Sequence, residues 1–272
     1  MHNVRVESFE ELERTGWERI VDDYYAACRP VTHRLIAPLL DAAHVVPGSR
    51  VLDVGTGPGD VAAEAAERGA QVVGLDLAQA MINLAVRLHP NIEFIIADAV
   101  SPPFGDASFD AVVGNFTFHH VSDQPRALAS WRRLLCEGGC LALTAWDDPA
   151  RCRMLGLFQD AVAAARVQSA ELPPGAPLMS ASDAAYRQML DVAGFHRSSV
   201  STIGFTVQPL SVDALWTSVL AATVRTAAAI TRESEDAQRR IRAAFDELVT
   251  EYLTVDGLVV PVSVKLITGR AG

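Results

Sequence analysis

Residues 51–60 read VLDVGTGPGD and place a short apolar run directly before three closely spaced glycines. An alanine-rich helical pattern follows Gly59 at once. A buried strand, a glycine turn and a helix start in succession are typical of sites where backbone N–H groups contact a ligand. Glycine serves in such a turn because it accepts positive φ angles and lets a ligand approach the main chain closely. The stretch therefore predicts a ligand-binding turn at the end of a buried strand.

Short apolar strands then alternate with helical patterns as far as residue 147. Each strand is apolar enough to be buried on both faces, which indicates a parallel sheet with helices on both sides. An amphipathic helix is expected before them over residues 4–29, ended or bent by Pro30. The later part of the chain alternates less regularly, with a cap of helices around two more strands. The predicted strands cover residues 51–54, 71–75, 92–96, 109–114, 140–146, 199–207 and 258–268.

The composition of the 272 residues excludes several classes of protein. A formal net charge of −10 argues against binding of nucleic acid, because such proteins normally carry a basic patch. The N-terminus lacks the apolar core of a signal peptide, and no apolar run has the length of a membrane span. We therefore expect a soluble, cytoplasmic protein. Cys136 and Cys140 are spaced C-x3-C, far from Cys28 and Cys152, a pattern that favours reduced thiols and no metal site.

The glycine turn departs from the dinucleotide-binding pattern G-x-G-x-x-G. Gly55 and Gly57 fit the pattern, but Asp60 occupies its third position and Gly59 comes one residue early. A negative charge near the helix N-terminus opposes a pyrophosphate, which disfavours hydride transfer from a nicotinamide cofactor. Asp53, inside the strand, suggests instead a ligand with a cationic group such as an amine.

Two further aspartates follow the next strands, where an open parallel sheet binds its ligands. Asp76 ends the second strand and can accept hydrogen bonds from both ribose hydroxyls, while Asp98 ends the third and can accept from an adenine amine. Each aspartate alone also fits an ordinary role in capping a strand or helix. Together with Asp53, these two residues place three aspartates around one glycine turn. This arrangement indicates an adenosine-type ligand.

Five motifs in order resemble those of class I S-adenosylmethionine-dependent methyltransferases: VLDVGTGPGD, VVGLDLAQAMI, FIIADAVSPPF, FDAVVGNFTFHHV and LLCEGGCLALTAWD. The resemblance is closest to the UbiE/COQ5-like group of quinone and natural-product methyltransferases. It implies an α/β fold with a doubly wound, seven-stranded, mostly parallel, Rossmann-like sheet, an antiparallel last strand and a helical cap. In one integrated domain, residues 1–45 would cover the cofactor, 46–147 would form the S-adenosylmethionine-binding core, and 148–272 would add the last strands and the substrate cap.

The resemblance also implies roles for matching residues. The glycine turn would hold the methionine part of the cofactor, the aspartates its ribose and adenine, and tyrosines of the first helix would close over it. The implied cofactor-binding residues are Tyr24, Tyr25, Asp53, Gly55, Thr56, Gly57, Gly59, Asp76, Leu77, Asp98, Ala99, Asn115 and Phe116.

His119 and His120 are the candidate catalytic residues. They follow the fourth strand, close to the expected methyl group, and a neutral imidazole there can act as general base toward an oxygen nucleophile. The alternative is that one of them packs against the adjoining helix. Related sugar O-methyltransferases pair such a histidine with an aspartate at the end of the fifth strand. Here that position falls near Ala145, with Asp147 two residues later, so the assignment of the base stays open.

The helical cap supplies the candidate substrate pocket. Its aromatic and apolar residues favour a neutral or lipophilic acceptor, although an apolar stripe at helical spacing also fits a protein core. We expect methyl transfer to a small apolar or aromatic metabolite, as O-methylation in natural-product biosynthesis. The alternatives are C-methylation of a quinone, aromatic or isoprenoid acceptor, and a non-methylating member that only binds the cofactor. The oligomeric state stays open, a homo-oligomer included. The candidate pocket residues are Trp17, Trp146, Met179, Phe205 and Trp216.

Overall fold

The computed structural model describes residues 8–167 and 180–272. Seven of its strands form one sheet, and two very short strands pair separately as a hairpin. The strands are β1 (Arg50–Val54), β2 (Gln71–Asp76), β3 (Glu93–Ile96), β4 (Phe109–Asn115), β5 (Leu135–Trp146), β6 (Phe195–Val207), β7 (Leu253–Thr254), β8 (Gly257–Leu258) and β9 (Val260–Ala271).

The sheet has the order β3-β2-β1-β4-β5-β9-β6. The first five strands in this order pair in parallel, whereas β9 is antiparallel to both of its neighbours. This arrangement confirms the predicted seven-stranded Rossmann-like sheet with an antiparallel last strand. The chain leaves β1 toward β2 on one side and returns to β4 on the other. The strand order therefore reverses between β1 and β4, and a crevice opens beyond their carboxyl ends.

Helices cover both faces of the sheet and its carboxyl edge. Short 3₁₀ turns at His33–Leu35, Phe118–His120 and Val249–Tyr252 connect some of the elements. The helices are α1 (Phe9–Thr32), α2 (Ile36–Ala42), α3 (Asp60–Glu67), α4 (Gln79–Leu88), α5 (Gln124–Leu134), α6 (Arg153–Ala164), α7 (Asp183–Val192), α8 (Val212–Ala222), α9 (Arg225–Thr231) and α10 (Glu235–Leu248).

The core follows from the alternation of side chains along the strands. In β1, Leu52 and Val54 face a cluster around Trp131 of α5, whereas Val51 faces a cluster with Leu39 of α2. A separate cluster joins α6, α8 and α10 to β9. Each fully buried aliphatic side chain contributes about 1.5–3 kcal/mol to folding. The sheet is therefore a rigid base, and the carboxyl ends of its strands are held in fixed positions.

Three boundaries differ from the sequence-based expectation. Helix α1 continues through Pro30 to Thr32, since the ring removes one hydrogen bond only in its last turn. The sequence predicts a turn at Glu137-Gly138-Gly139 before a strand over residues 140–146, but strand β5 begins at Leu135 and includes these glycines at a shift of the β4–β5 register. The apolar spacing of Leu215, Trp216, Val219, Leu220 and Val224 predicts one helix, but α8 ends at Ala222 and α9 starts separately at Arg225.

In the described part of the chain, no single helix is both long and apolar enough to cross a membrane. Helices α8 and α9 reach the required length and hydropathy only when taken together, and a bend of 107° separates them.

Candidate active site

A cavity lies beyond the carboxyl ends of β1, β2, β3 and β4, at the point where the strand order reverses. Gly55 and Gly57 follow β1, Asp76 ends β2, and Asp98 follows β3 along its wall. Helix α1 covers the cavity from above, and residues 222–226 between α8 and α9 close its far side. The cavity thus lies between the carboxyl edge of the sheet and the helices that cover it.

The glycine turn after β1 adopts a conformation that favours glycine at three positions. Gly55, Gly57 and Gly59 have φ angles of 64°, 52° and 86°. A Cβ atom on Gly55 would approach the side chain of Thr117 to 2.3 Å, whereas one on Gly57 would meet no protein atom within 4 Å. Since Gly57 lines the cavity, its missing side chain leaves space for a ligand. Gly59 packs near Phe94 and does not line the cavity, so it shapes the turn.

Asp53 is a buried carboxylate beneath this turn. Thr56 donates its hydroxyl hydrogen to Asp53 Oδ2 at 2.6 Å. Asp53 Oδ1 is buried and has no hydrogen-bond partner among the residues that the structure describes. Burial raises the pKa of this carboxyl to about 7. With Tyr25 and Thr56, Asp53 lines a small hollow next to the main cavity.

Two other aspartates lie where the sequence predicts them. Asp76 accepts hydrogen bonds from the backbone N–H groups of Gly57 and Ala78, each at 2.9 Å, and burial raises its pKa. These two bonds join the glycine turn to the start of α4. Asp98 accepts from the N–H of Val100 at 2.8 Å and so shapes the turn after β3. Leu77, Asp98 and Ala99 all line the cavity together with Asp76.

Asn115 connects the end of β4 to helix α1. Its amide nitrogen donates to the carbonyl of Thr32 at 3.1 Å, and its amide oxygen accepts from Thr144 Oγ1 at 2.6 Å. The same hydroxyl oxygen accepts from the N–H of Phe116 at 2.9 Å. Phe116 packs on Trp146 with ring centroids 4.1 Å apart. Sequence reasoning missed Thr144, because a single threonine in an apolar strand carries no signal of its own.

Helix α1 is fastened over the cavity by polar and aromatic contacts. Glu18 accepts from the first N–H groups of α4, at Gln79 (2.6 Å) and Ala80 (3.0 Å). Trp17 contacts Tyr24 edge-on at 5.1 Å between ring centroids, and both rings line the cavity. Burial raises the pKa of Tyr24 far above its ordinary value, so its hydroxyl stays protonated.

The two histidines after β4 lie in different environments. His119 is almost fully buried and does not line the cavity; neither of its ring nitrogens has a partner in the described part of the chain. Burial lowers the pKa of His119 well below its ordinary value, which keeps its ring neutral. His120 lines the cavity, and its Nδ1 lies 2.8 Å from Glu13 Oε2. Asp147 points elsewhere, accepting from Ser263 at 2.7 Å.

Glu13 and Arg225 are two charged residues of the cavity that sequence reasoning missed. Glu13 is 3% exposed and Arg225 is 7% exposed, yet both line the cavity. The Arg225 guanidinium donates to the carbonyl of His119 at 3.1 Å and lies over the ring of Phe9. One signal was available for Glu13: it interrupts the apolar face of α1, one turn from Phe9 and from Trp17. The sequence around Arg225 has no comparable feature that would mark it as a cavity residue.

The predicted pocket residues divide between the cavity and the protein core. Trp17 and Trp146 line the cavity. Trp216 does not; it stacks on Phe158 in the core of the cap, with ring centroids 5.3 Å apart. Phe205 lies on β6 under the guanidinium of Arg34, also away from the cavity. Met179 lies outside the described residues. Among residues 8–167 and 180–272, no three potential metal ligands cluster together.

Comparison with known proteins agrees with this geometry. A family model described as a methyltransferase domain matches residues 52–143. A demethylmenaquinone methyltransferase of Renibacterium salmoninarum is 39% identical over 118 residues, which is 43% of this chain and 50% of the relative. The chain thus spans about half the length of the curated relatives that it matches.

Two solved structures share the fold across most of the chain. Phosphoethanolamine N-methyltransferase 2 of Haemonchus contortus, in complex with S-adenosyl-L-methionine, aligns with a TM-score of 0.60 and 18% identity, covering 98% of this chain and 60% of the other. The [4+2]-cyclase SpnF aligns with a TM-score of 0.59 and 17% identity, covering 97% and 96%. At these identities the likeness concerns the fold alone. Together with the sequence matches, it identifies residues 52–143 of this chain as a methyltransferase domain.

Proposed function

We propose that this protein binds S-adenosylmethionine in the cavity and transfers its methyl group to a small apolar or aromatic acceptor. The observation that carries the proposal is Asp53, a buried carboxylate with an unpartnered oxygen beside a turn of three glycines. When bound, S-adenosylmethionine supplies a methyl group that a positively charged sulfur makes electrophilic. A buried carboxylate oxygen with no partner in the described residues fits the ammonium group of such a ligand better than it fits a pyrophosphate.

The other predicted cofactor residues take roles along the same wall. Asp76 would accept hydrogen bonds from the ribose hydroxyls, and Leu77 would pack against the adenine ring. Asp98 and Ala99 would contact the adenine edge. Asn115 and Phe116, at the end of β4, would lie next to the sulfur. The N-terminal helices would cover the cofactor, as the predicted division at residues 1–45, 46–147 and 148–272 requires, and would exclude water from the reacting groups.

The far end of the cavity indicates the chemistry of the acceptor. Its walls are mainly apolar, with Trp17, Trp146, Leu155 and Val224 among them. The polar side chains that reach this end include Glu13, His120 and Arg225. This combination suits an aromatic or lipophilic molecule with one hydroxyl or carbonyl group near His120.

Methylation at a ring carbon is the first expectation for this acceptor. Relatives of the chain are named demethylmenaquinone methyltransferases, and a quinone fits an apolar cavity. Removal of the proton from a phenolic hydroxyl spreads negative charge onto the adjacent ring carbons. One base at His120 could therefore activate either oxygen or carbon, and O-methylation of a natural product is the second candidate. His119 does not line the cavity, so we do not assign it this role.

The experiment uses the purified chain of 272 residues. Calorimetry with S-adenosylhomocysteine measures cofactor binding, and NADH serves as the competing ligand. Incubation with S-adenosylmethionine and reduced demethylmenaquinone, followed by mass spectrometry, shows whether a methyl group is added and whether it lies on carbon or oxygen. Binding without any methyl transfer to this acceptor or to a panel of phenols would favour the non-methylating alternative. Absence of binding would contradict the whole proposal.

A further inference from the structure

A buried carboxylate on α1 contacts the histidine loop on the opposite side of the cavity. We infer that Glu13 is a positioning residue that fixes the tautomer of His120, so that Nε2 faces the acceptor as the proton-accepting atom. The inference rests on the proposed methyl transfer and deepens it, because it names the group that prepares the base. It also assigns a function to a residue outside all five sequence motifs.

The hydrogen bonds of Glu13 determine which ring nitrogen carries the proton. Oε2 accepts from the indole N–H of Trp17 at 2.9 Å and lies 2.8 Å from His120 Nδ1. An ionised carboxylate can only accept hydrogen bonds, so Nδ1 must carry the hydrogen in this contact. A neutral imidazole with a hydrogen on Nδ1 has its lone pair on Nε2. Trp17 also contacts the His120 ring edge-on, with centroids 5.1 Å apart, which limits rotation of the ring.

The position of Nε2 is consistent with a base. The His120 side chain is 20% exposed and forms part of the cavity wall. Within residues 8–167 and 180–272, Nε2 has no hydrogen-bond partner, so it is available to a hydroxyl group of an acceptor. The Nε2 atom of His119 also has no partner in the described part of the chain, but the ring is buried and does not line the cavity, so an acceptor in the cavity cannot reach it.

The surroundings of this pair include several charges. The charge of Arg225, at the start of α9, interacts electrostatically with the charge of Glu13. Asp76, at the end of β2, is close enough to His120 for the same kind of interaction. His119 is the next ring in the same loop, 4.1 Å away between centroids. Burial of a carboxylate is costly, and a well-packed apolar residue usually serves stability as well or better. A carboxylate that binds both the indole and the imidazole therefore indicates a function beyond packing.

The proton and electron changes of the step balance. The O–H bond of the acceptor breaks and its proton forms the Nε2–H bond of His120, whose positive charge then lies beside Glu13. The acceptor's electron pair forms the bond to the methyl carbon, either from oxygen or from an adjacent ring carbon, and the carbon–sulfur pair stays on sulfur. When a ring carbon is methylated, that carbon afterwards loses its own proton to solvent and the ring oxygen takes up one proton from solvent to restore the hydroxyl, so that one proton is released in all. His120 returns its proton to solvent after the product leaves.

The decisive experiment does not depend on the acceptor. NMR of the ¹⁵N-histidine-labelled chain of 272 residues, alone and with S-adenosylhomocysteine, reports the tautomer of each neutral imidazole. The His120 signal is identified by its loss in His120→Gln. We expect the Nδ1–H form in the native protein and in Asp22→Asn, an exposed carboxylate on the same helix. In Glu13→Leu we expect the Nε2–H form or a mixture.

Either of two results would overturn the inference: an Nε2–H tautomer in the native protein, or an unchanged Nδ1–H tautomer in folded Glu13→Leu. If Glu13→Leu fails to fold, the tautomer of the native protein alone decides. Because this readout needs no turnover, a failure of the proposed function would show separately, as absent binding of S-adenosylhomocysteine.

A kinetic cycle tests the consequence with reduced demethylmenaquinone as the acceptor probe. We expect Glu13→Gln to lower kcat about 10-fold or more and His120→Gln about 100-fold, with the KM for S-adenosylmethionine unchanged. In the His120→Gln background, Glu13→Gln should cause no further loss, because it acts only through His120. Multiplicative losses would show that Glu13 has a merely structural role.

Discussion

Thr56 donates its hydroxyl hydrogen to Asp53 at 2.6 Å, and this bond satisfies only one of the two buried carboxylate oxygens. The other oxygen is buried without a hydrogen-bond partner in the described part of the chain, and Asp53 and Thr56 both line a small hollow beside the glycine turn. The turn and the carboxylate thus form one unit. The backbone provides space for a ligand, and the side chain provides a negative charge. The free-energy cost of burying that charge decreases when a cation binds beside it.

The first prediction concerns the pH dependence of cofactor binding. Because the pKa of Asp53 is about 7 in the ligand-free protein, the carboxyl is protonated at acidic pH and must lose a proton to bind an ammonium group. We expect the affinity for S-adenosylhomocysteine to rise with pH up to about 7, by as much as 10-fold per pH unit, and then to level off. Calorimetry across this range, with Asp53→Asn as the control, checks it. An equally steep dependence in Asp53→Asn would contradict the assignment.

The second prediction concerns the stability of the ligand-free protein. The pKa of Asp53 is raised by folding, from about 4 in an unfolded chain to about 7. Between these values the unfolded state binds fewer protons than the folded state, so this group lowers the free energy of unfolding as pH increases from about 4 to about 7. We expect Asp53→Asn to be more stable than the native protein at neutral pH but not at pH about 4. Urea unfolding at both pH values measures the difference.

The third prediction separates two neighbouring glycines. A Cβ atom at position 57 meets no protein atom within 4 Å, so the stability cost of Gly57→Val comes mainly from its positive φ, about 2 kcal/mol for a β-branched residue, yet the substitution should abolish binding of S-adenosylhomocysteine. Gly55→Ala should destabilise the fold further, since its Cβ would clash with Thr117. Gly204→Ala, in open space on β6, is the matched control and should change neither quantity. Binding retained by Gly57→Val would contradict the site as described.

The fourth prediction concerns the attachment of α1 to α4. Glu18 accepts from two N–H groups at the start of α4, as a helix cap does, and also faces the positive end of the helix dipole. We expect Glu18→Ala to lower the free energy of unfolding by about 1 kcal/mol and Tm by about 2–4 °C. Because α1 covers the cavity, cofactor affinity should decrease as well. Arg19→Ala, exposed on the same helix, is the control. An affinity equal to that of the control would show that α1 does not need this contact to cover the cavity.

The fifth prediction distinguishes two tryptophans that sequence reasoning treated alike. Trp216 stacks on Phe158 and lies edge-on to Phe245 in the cap, so Trp216→Leu should lower Tm and leave the KM of an acceptor unchanged. Trp146 lies on the cavity wall beside Phe116 and is also buried, so Trp146→Leu should raise the KM of reduced demethylmenaquinone as well as lower Tm. Melting curves and steady-state kinetics on both variants provide the comparison, and equal effects on KM would contradict it.

Local patterns made much of the fold and part of the candidate site predictable. A strand, a glycine turn and a helix start are adjacent in the chain, so Asp53, Gly55 and Gly57 could be interpreted together. Asp76 was identifiable because it follows an apolar strand, and strand ends in a parallel sheet share one edge. Their positions along the cavity agree with those interpretations, whereas their contacts with a cofactor remain predictions.

Other features depend on which distant segments the fold brings together. Trp216 lies on an apolar stripe of α8 that is compatible with either the protein core or a pocket wall. Its packing on Phe158 shows that it belongs to the core. Pro30 predicts a helix end, but the loss of one hydrogen bond costs too little free energy to end a helix that tertiary contacts stabilise. Propensity is a local free energy of about 1–3 kcal/mol, and packing can exceed it.

The sequence by itself determined the parallel sheet, the glycine turn and the carboxylates at the strand ends, because these depend on neighbouring residues and on the regular geometry of strands. Only the tertiary structure decided which histidine faces the cavity and which carboxylate contacts it. Glu13 and His120 are 107 residues apart in the chain, and no periodic pattern connects them. Their contact exists because α1 packs across the end of the sheet, and the free energy of that packing is distributed over many side chains rather than over any local motif.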